Sequence, residues 1–413
     1  MFIQKKIDYI SFLILLLPAA IVAGSLISDL FVTILALFIC FYNYKKVIEY
    51  FDHYLILKII LIFYFLNSLN SLFAEDIYVS TKSAFLYIRF PLFVIASIYL
   101  LKKYPKLIIY FYYITLVTVC FVSVDAIIQF FTGDNLFGFT SDSRNRVSGL
   151  FRDEFILGSY LARITPILIS ILIFFKKDLS IRLFSFVFLI VFLGIIVSGE
   201  RTSLLLISAY CIIFITFILK STIRIKVTLV AALITIIVVT SLSSNNLRER
   251  YVKLSIDEIQ GNIENLPEEE NVIGGQRLKH IYVSLEMFKQ KPFFGHGNKM
   301  FARVCFDQFF VNDGRCSTHP HVIIMQILVE NGIIGVFTYL ILSIILFIKF
   351  IIAVRNNNDH ISAILLIILI NFCPFIPSGA LYNNQISIFM YLPFIIYFFY
   401  NGDGEKILYE KKD

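Results

Sequence analysis

Residues 333–353 read IIGVFTYLILSIILFIKFIIA, with Lys349 as their single charged residue. A helix of this length crosses the roughly 30 Å of hydrocarbon in a membrane. The whole chain is similarly apolar, with 58% hydrophobic residues, 16% charged residues and a mean hydropathy of +0.82. An ordinary globular domain contains fewer apolar residues and more charged ones. The sequence therefore predicts an all-α integral membrane protein.

Apolar stretches of comparable length recur along nearly the whole chain and predict about twelve transmembrane helices. The first stretch follows two lysines and ends in small residues, as a signal peptide does. Another apolar stretch follows at once, so we interpret the first as a retained anchor. The predicted spans cover residues 9–27, 29–44, 54–73, 84–101, 106–131, 155–175, 181–198, 202–219, 226–242, 333–353, 361–378 and 384–400.

Lysines and arginines beside the spans predict the orientation, because basic residues next to spans are retained on the cytoplasmic side. They concentrate in alternate loops, so both termini are expected in the cytoplasm. Residues 243–332, between the ninth and tenth spans, are then expected to form one large extracytoplasmic loop. The basic residues that define the cytoplasmic side are Lys5, Lys6, Lys45, Lys46, Lys102, Lys103, Lys106, Lys176, Lys177, Arg182, Lys220, Arg224, Lys226, Lys349, Arg355, Lys406, Lys411 and Lys412.

The spans and the loop divide the chain into three predicted parts. Residues 1–242 form a bundle of nine spans, residues 243–332 form the extracytoplasmic loop with the soluble chemistry, and residues 333–413 contain three further spans and a short cytoplasmic tail. The net charge of +7 is explained by the cytoplasmic lysines and does not indicate a nucleic-acid partner. Membrane lipids are the expected surroundings.

The extracytoplasmic loop contains a cysteine pair and a helix. Cys305 and Cys316 are eleven residues apart on the oxidising side of the membrane, so we expect a disulfide between them. Apolar residues recur at helical spacing between positions 277 and 289 and predict a helix with one packed face. That predicted face consists of Leu278, Ile281, Leu285 and Phe288, while Arg277, His280 and Ser284 share a different face.

Two histidines flank a proline in STHPHVIIM, residues 317–325. Proline suits the first position of a helix, so we expect a helix to begin at Pro320, with His321 in its first turn. A helix N-terminus attracts phosphate oxygens and disfavours a protonated imidazole, so His321 is predicted to be a general base beside a phosphate. The simpler alternative is that these histidines only form hydrogen bonds at the membrane edge. Around the pair, the sequence shows no Cys, His, Asp and Glu with zinc-ligand spacing.

Arginines are predicted on the same side of the membrane. A charge inside a span costs at least about 2.5–3.5 kcal/mol, so the arginines within spans are expected to line a cavity. Each arginine either contacts an anionic ligand or only forms an ion pair, as Arg201 could with Glu200 and Arg163 with Asp153 or Glu154. The candidates for ligand binding are Arg89, Arg163, Arg201 and Arg277, and Arg144, Arg146 and Arg152 add positive charge to that surface.

Three motifs together resemble the O-antigen ligase and O-antigen polymerase superfamily. They are SGERTSLL at 198–205, GQRLKHIYVSLEMFKQKPFFGHGNKMF at 275–301 and HPHVIIMQILVENGIIG at 319–335. The resemblance extends over roughly residues 140–400 and is strongest from 190 to 340. The chain departs from the family at Val322, where Asn is common, and at His280, where an aromatic residue such as Trp is frequent.

The resemblance implies a glycosyltransferase of the bacterial inner membrane whose active site faces the periplasm. The implied donor is a polysaccharide on undecaprenyl diphosphate, and the implied enzyme uses no metal or other cofactor. The resemblance further implies that Arg201 and Arg277 bind the diphosphate and that His321 deprotonates the acceptor hydroxyl. His319 is the second catalytic candidate, as an orienting neighbour or phosphate contact.

The acceptor distinguishes two activities within this superfamily. A ligase transfers the glycan to a sugar of the lipid A core, whereas a polymerase extends the lipid-linked glycan. We favour the ligase, because FRDEFILGSYLARITPIL at 151–168 and the HPH motif resemble proteins described as ligases. A polysaccharide or lipid transporter is the third hypothesis, although transporters commonly show repeated halves and substrate sites at mid-membrane.

Overall fold

A computed structural model of the chain describes residues 2–140, 146–175, 179–256, 274–309, 316–376 and 379–401. Within these ranges the regular structure is helical, as predicted, apart from isolated β-bridges such as that between Asp134 and Thr140. The helices are α1 (Phe2–Ala23), α2 (Ser25–His53), α3 (Leu55–Asn70), α4 (Ile77–Tyr87), α5 (Arg89–Lys103), α6 (Leu107–Thr132), α7 (Leu157–Phe174), α8 (Ile181–Val197), α9 (Arg201–Ile213), α10 (Ile223–Ser243), α11 (Asn245–Arg248), α12 (Gly274–Gln290), α13 (Phe301–Val304), α14 (Ile323–Arg355), α15 (Asp359–Asn371) and α16 (Asn384–Asn401).

Each predicted span overlaps a helical segment of the described chain. In the described part of the chain, eight segments are long and apolar enough to cross a membrane. Three shorter apolar segments, Tyr9–Ala23, α8 and α15, occupy further predicted positions, and the 18-residue α16 occupies the last. The arrangement is consistent with a multi-pass membrane protein, while the total of twelve spans stays a prediction. The eight segments are Ser25–His53, Leu55–Phe73, Ile77–Lys103, Leu107–Thr132, Leu157–Phe174, Arg201–Ile218, Ile223–Ser243 and Ile323–Arg355.

The predicted orientation and the three predicted parts of the chain also stay predictions. Several residues on which they rest lie outside the described ranges. These are Arg144, Lys176, Lys177, residues 257–273 of the predicted extracytoplasmic loop, Lys406, Lys411 and Lys412.

The helix bundle has a buried centre and an exposed periphery. In α7, 78% of the 18-residue apolar segment is buried, whereas the corresponding share in α10 is 11%. A helix that is apolar on all sides either packs against neighbours all round or exposes its side chains to lipid. Helix α7 contacts α8, α9, α15 and α16, and α16 itself is buried along nearly its whole length. The core of the bundle therefore lies where α7 and α16 meet.

Helix α14 is interrupted at Gly332, and a loop from the preceding segment crosses it there. Gly332 has φ 63° and ψ −164°, which are not helical values. Residues 291–298, which we call the crossing loop, satisfy backbone groups that the interruption exposes. The hydrogen bonds run from His296 N to Val329 O (2.8 Å), from Gly297 N to Glu330 O (2.9 Å) and from Ile333 N to Pro292 O (2.9 Å).

Two glycines permit this close crossing. A Cβ atom on Gly332 would lie 2.3 Å from the carbonyl oxygen of Phe293, and one on Gly295 would lie 2.6 Å from the backbone N of Asn331. The dihedral angles of Gly332 also fall in a region that is essentially restricted to glycine. The predicted tenth span begins directly after this interruption, so residues 323–331 form a separate first part of α14.

The predicted start of this helix at Pro320 is wrong. Helix α14 begins at Ile323, and Val322 precedes it with an extended backbone. His321 has φ 58°, in the left-handed region, so the chain turns before the helix begins and the residue does not lie in the first helical turn. Pro320 therefore belongs to the turn rather than to the helix.

The predicted helix at 277–289 is present as α12, but the predicted packed face is wrong. The buried face consists of His280, Val283, Ser284 and Met287, whereas Leu285 is 40% exposed. Both sets of residues have helical spacing, so periodicity alone favoured the more apolar one. Burial of Ser284 is tolerated because its hydroxyl donates a hydrogen bond to the His280 carbonyl at 2.6 Å.

We expect Gly332→Ala to lower the free energy of unfolding by at least about 2 kcal/mol, because it adds both backbone strain and a clash with the crossing loop. The matched control is Gly138→Ala, which also has a positive φ, of 78°, but has open space around the added Cβ. The control should cost only about 1 kcal/mol. Thermal unfolding of the detergent-solubilised protein measures both. Equal melting temperatures for the two variants would contradict the role of the crossing.

Candidate functional site

Three histidines lie together at the N-terminal end of α14. His280 comes from α12, and His319 and His321 come from the turn before α14. The ring centroids of His319 and His321 are 4.1 Å apart, and those of His280 and His321 are 5.5 Å apart. His321 is thus in contact distance of both other rings. We call these three residues the histidine cluster.

Short-range contacts hold the histidine-bearing turn. The Ser317 hydroxyl donates a hydrogen bond to the His319 carbonyl at 2.5 Å, and Thr318 Oγ1 lies 3.0 Å from His319 Nδ1. His321 is in the left-handed region, where histidine is tolerated better than most residues and where backbone strain often accompanies function. The turn therefore presents two neighbouring imidazoles in a defined conformation.

A disulfide joins Cys305, at the end of α13, to Cys316, immediately before the histidine-bearing turn. Cys305 is fully buried, whereas Cys316 is partly exposed. The bond ties the turn to a small apolar cluster that is separate from the main core and that packs α12, α13 and α14 together. The members of that cluster are Ala74, Val283, Met287, Met300, Phe301, Val304, Cys305 and Val329.

The position of Arg277 on α12 follows from the helix, although its side chain lies outside the described part of the structure. Residue 277 precedes His280 by three positions, so the two lie on adjacent turns of one helix face. Since His280 contacts His321, position 277 lies on the helix face that points toward the histidine cluster. Its predicted contact with a diphosphate stays a prediction.

Glu200 occupies the junction between α7, α8 and α9. Its carboxylate accepts hydrogen bonds from the backbone N–H groups of Gly158 and Ser159 at 2.9 and 3.1 Å, and from the Ser203 hydroxyl at 2.8 Å. Glu200 directly precedes α9, and it also lies against the first turn of α7. One carboxylate therefore satisfies backbone donors at one helix N-terminus and lies at a second, where the helix dipoles favour negative charge.

Among the residues that the structure describes, four arginines surround this junction, and we call them the arginine cluster: Arg146, Arg163, Arg201 and Arg250. Burial raises the pKa of the Glu200 carboxyl, and the charges of Arg146 and Arg163 oppose that rise. Burial also raises the pKa of the Tyr251 hydroxyl, and the charges of Arg250, Arg146 and Arg201 oppose that rise. The arginines are thus close enough to share one electrostatic environment.

Individual arginines in the cluster have different exposures. Arg163 is only 6% exposed. It donates hydrogen bonds to Ser159, rather than pairing with Asp153 or Glu154 as the sequence suggested. Arg250 is also buried and donates a hydrogen bond to the Gly199 carbonyl at 3.0 Å. Arg201, the first residue of α9, is partly exposed and therefore has the better access to a ligand. Arg250 was not among the ligand-binding candidates predicted from the sequence.

Arg89 lies in a different environment. Its guanidinium forms an ion pair with Asp29 at 2.7 Å and donates a hydrogen bond to Asn384 Oδ1 at 2.8 Å. It lines a cleft of about 370 Å³, and neither the histidine cluster nor the arginine cluster contributes to that lining. The structure therefore brings His319 and His321 together, places Arg163 and Arg201 at one junction, and places Arg89 in a separate cleft.

The residues directly before the interruption of α14 form a buried polar network that was not predicted from the sequence. Glu330 accepts hydrogen bonds from Phe301 N at 3.2 Å and from Gln326 Nε2 at 3.1 Å. Asn331 donates to Asn298 Oδ1 and accepts from the Tyr382 hydroxyl, each at 2.8 Å. Polar residues between two apolar runs, as in VENG at 329–332, are the signal that could have indicated it. The network connects the crossing loop to α14.

No arrangement of three or more His, Cys, Asp or Glu side chains suited to a metal ion occurs in the described ranges. The polar side chains that the structure describes at the histidine cluster include its imidazoles and the hydroxyls of Ser317 and Thr318. Imidazole accepts a proton, and guanidinium stabilises an anion.

Residues 186–340 match a family model described as O-antigen ligase. The resemblance to the O-antigen ligase and polymerase superfamily is confirmed. The matched segment includes most of α8, all of α9–α13 and α14 as far as residue 340, and thus positions 201, 277, 280, 319 and 321. Members of the family are glycosyltransferase-like O-antigen ligases or polymerases, which supports an enzyme at the level of the family. Comparison with curated proteins found no match.

We expect Glu200→Ala to lower the free energy of unfolding by about 2–4 kcal/mol, because it leaves buried N–H donors and arginines without their carboxylate. Glu200→Gln keeps an acceptor oxygen and should have a smaller effect. The control is Glu249→Ala, which removes a carboxylate from an exposed position of the same region. Thermal unfolding in detergent measures all three, and an effect of Glu200→Ala no larger than that of the control would refute the central role of Glu200.

Proposed function

We propose that this protein is an O-antigen ligase-like glycosyltransferase. In this proposal it transfers a polysaccharide from undecaprenyl diphosphate to a sugar hydroxyl of the lipid A core. The observation that carries the proposal is the position of His321, between His280 and His319, in a segment that matches the O-antigen ligase family model. A strained, partly exposed imidazole with two imidazole neighbours is suited to accept a proton.

The proposed reaction begins when His321 takes the proton of the acceptor hydroxyl. The acceptor oxygen then forms a bond to the anomeric carbon of the donor sugar, while the bond from that carbon to the diphosphate oxygen breaks. Undecaprenyl diphosphate leaves with the bonding electron pair. A positioned general base accelerates such a step by about 10²- to 10⁴-fold. His319, whose ring centroid lies 4.1 Å from that of His321, orients the base or contacts the phosphate.

The negative charge that develops on the departing diphosphate is assigned to arginines. Arg201 is partly exposed at the N-terminus of α9, and residue 277 lies on the helix face that carries His280. A guanidinium group matches phosphate oxygens through a planar fork and stays charged at all relevant pH values. Because Arg163 is buried beside Ser159, it acts in this proposal by balancing Glu200. The proposed mechanism includes no metal or other cofactor.

The proposed location is the bacterial inner membrane, with both termini in the cytoplasm and the histidine cluster facing the periplasm. The support is the distribution of lysines and arginines, which alternates between loops. In this arrangement the donor lipid and the lipid A-core acceptor both reach the site from the outer leaflet. Membrane lipids surround the exposed apolar side chains of α10 and the other peripheral helices.

The second candidate is an O-antigen polymerase, which would extend the lipid-linked glycan. The family model and the three motifs are shared by both activities. The same base and the same arginines would serve either acceptor, because both reactions displace undecaprenyl diphosphate from an anomeric carbon.

We expect His321→Asn to lower the rate of glycan transfer by at least about 10²-fold, because asparagine removes the base but tolerates the left-handed backbone. The control is His53→Asn, at an exposed histidine that ends α2. Transfer to lipid A-core is measured with both variants after equal membrane insertion and melting temperatures have been verified. EDTA should leave wild-type transfer unchanged. Wild-type rates from a folded His321→Asn protein would remove the catalytic assignment.

Loss of the gene separates the two candidate activities. If the protein is the ligase, lipopolysaccharide should consist of bare cores, and lipid-linked polymer should accumulate. If it is the polymerase, cores bearing a single repeat unit should appear instead. Gel electrophoresis of lipopolysaccharide distinguishes these patterns, with restoration by the intact gene as the control. Unchanged glycan would contradict both and favour a transporter.

A further inference from the structure

The cleft that contains Arg89 is cationic and lies where α4 meets α5. It has a volume of about 370 Å³, and its lining includes Lys82, Arg89 and Lys299. Asp29 is the one carboxylate among the lining residues. Since Asp29 already pairs with Arg89, the ammonium groups of Lys82 and Lys299 give the cleft lining its excess positive charge, and Glu330 behind the lining partly balances Lys299.

Each cation is held differently. Arg89 is fixed by Asp29 and Asn384, with its guanidinium 5.0 Å from the ring centroid of Phe90. The ammonium of Lys82 lies 5.9 Å from the ring centroid of Tyr78. Lys299 ends the tight turn after the crossing loop with φ 61°, an unusual conformation for lysine. Although Lys299 is accessible from the cleft, the surrounding protein removes enough water to lower its pKa.

Hydroxyl and amide groups accompany these charges. Ser83 and Asn384 line the same cleft and offer a hydroxyl and an amide donor, whereas Tyr382, which also lines it, donates its one hydroxyl proton to Asn331. Phosphate oxygens accept hydrogen bonds from lysine, arginine and hydroxyl donors alike. The lining therefore matches a phosphate group better than it matches a neutral ligand.

The side of the cationic cleft that α4 forms is apolar and exposed. Tyr78 is 73% exposed and Leu86 is 44% exposed, and both line the cleft, while the neighbouring Phe85 is 66% exposed. Helices α4 and α5 together form one of the segments that are long and apolar enough to cross a membrane. A ligand in the cleft is thus placed beside a surface that suits acyl chains.

We propose that the cationic cleft binds the phosphate head group of an anionic membrane lipid, with its acyl chains along the exposed side of α4. Lys82 and Lys299 bind the phosphate oxygens from two sides, and Arg89 presents its remaining N–H donors from a fixed position. No member of the histidine cluster or of the arginine cluster lines this cleft. The inference does not rest on the proposed function, because it concerns lipid binding by the intact chain and not glycan transfer.

The test is native mass spectrometry of the full-length protein in detergent, titrated with phosphatidylglycerol and, in parallel, with the zwitterionic phosphatidylcholine. Phosphatidylglycerol should be retained more strongly, and Lys82→Gln/Lys299→Gln should weaken its binding by about tenfold or more, since two charge-assisted contacts are lost. These lysines are chosen because Arg89 also pairs with Asp29, so its replacement could disturb folding.

The matched control is Lys253→Gln/Lys289→Gln, which removes two exposed lysines outside the cleft lining. It should retain phosphatidylglycerol as the wild type does. Equal losses in the two double variants, or equal retention of the two lipids by the wild type, would overturn the proposal. Sodium pyrophosphate is the soluble probe. If it displaces phosphatidylglycerol at an equal concentration, the cleft recognises free phosphate and the lipid assignment is wrong.

Discussion

The crossing of residues 291–298 over the interruption in α14 is the constraint on which the rest of this protein depends. An apolar helix that ends at Gly332 would leave carbonyl and N–H groups without partners in an environment with little water. The crossing loop satisfies them with its own backbone, so two distant segments are held at a spacing that only glycine permits at positions 295 and 332. The first part of α14 is therefore positioned independently of its membrane-spanning part.

The crossing positions two polar regions, the histidine cluster and the cationic cleft. The first part of α14 begins beside the histidine cluster, and the crossing loop leads into Lys299 of the cationic cleft. Helix α12 packs through Val283 and Met287 against the same small apolar cluster, and it thereby carries His280 to His321. The disulfide fixes the turn from its other side. Proton-accepting groups and cationic groups are thus attached to one rigid unit.

The junction of α7, α8 and α9 contains a separate group of buried charges. A carboxylate in an apolar surrounding is costly unless donors and cations compensate for the lost water. Glu200 receives two backbone N–H donors and a hydroxyl, with Arg163 and Arg250 buried nearby. Arg201, at the start of α9, is partly exposed, and the proposed diphosphate site includes it. The buried carboxylate and the two buried arginines therefore compensate one another within the junction.

Several features could be predicted from the sequence alone, because they depend on composition and on local spacing. The apolar stretches required membrane-length helices, and the pairing of Cys305 with Cys316 required only proximity along the chain. The motifs around Arg201 and His321 indicated the superfamily, and the family model that covers residues 186–340 agrees. Other features depend on contacts between residues far apart in the chain. The left-handed turn at His321 displaced the helix start from Pro320 to Ile323.

The sequence by itself determined that this chain is apolar and helical and that it resembles this superfamily, with histidine and arginine as its candidate chemical groups. Only the tertiary structure decided which of those groups meet. His280 is brought to His321 because α12 buries the mixed face that carries His280, Val283, Ser284 and Met287, which helical periodicity could not distinguish from the more apolar face. Arg89 is assigned to its own cleft because Asp29 and Asn384, from two other helices, hold it there. Side-chain spacing follows from local geometry, whereas burial and charge pairing depend on which helices pack together.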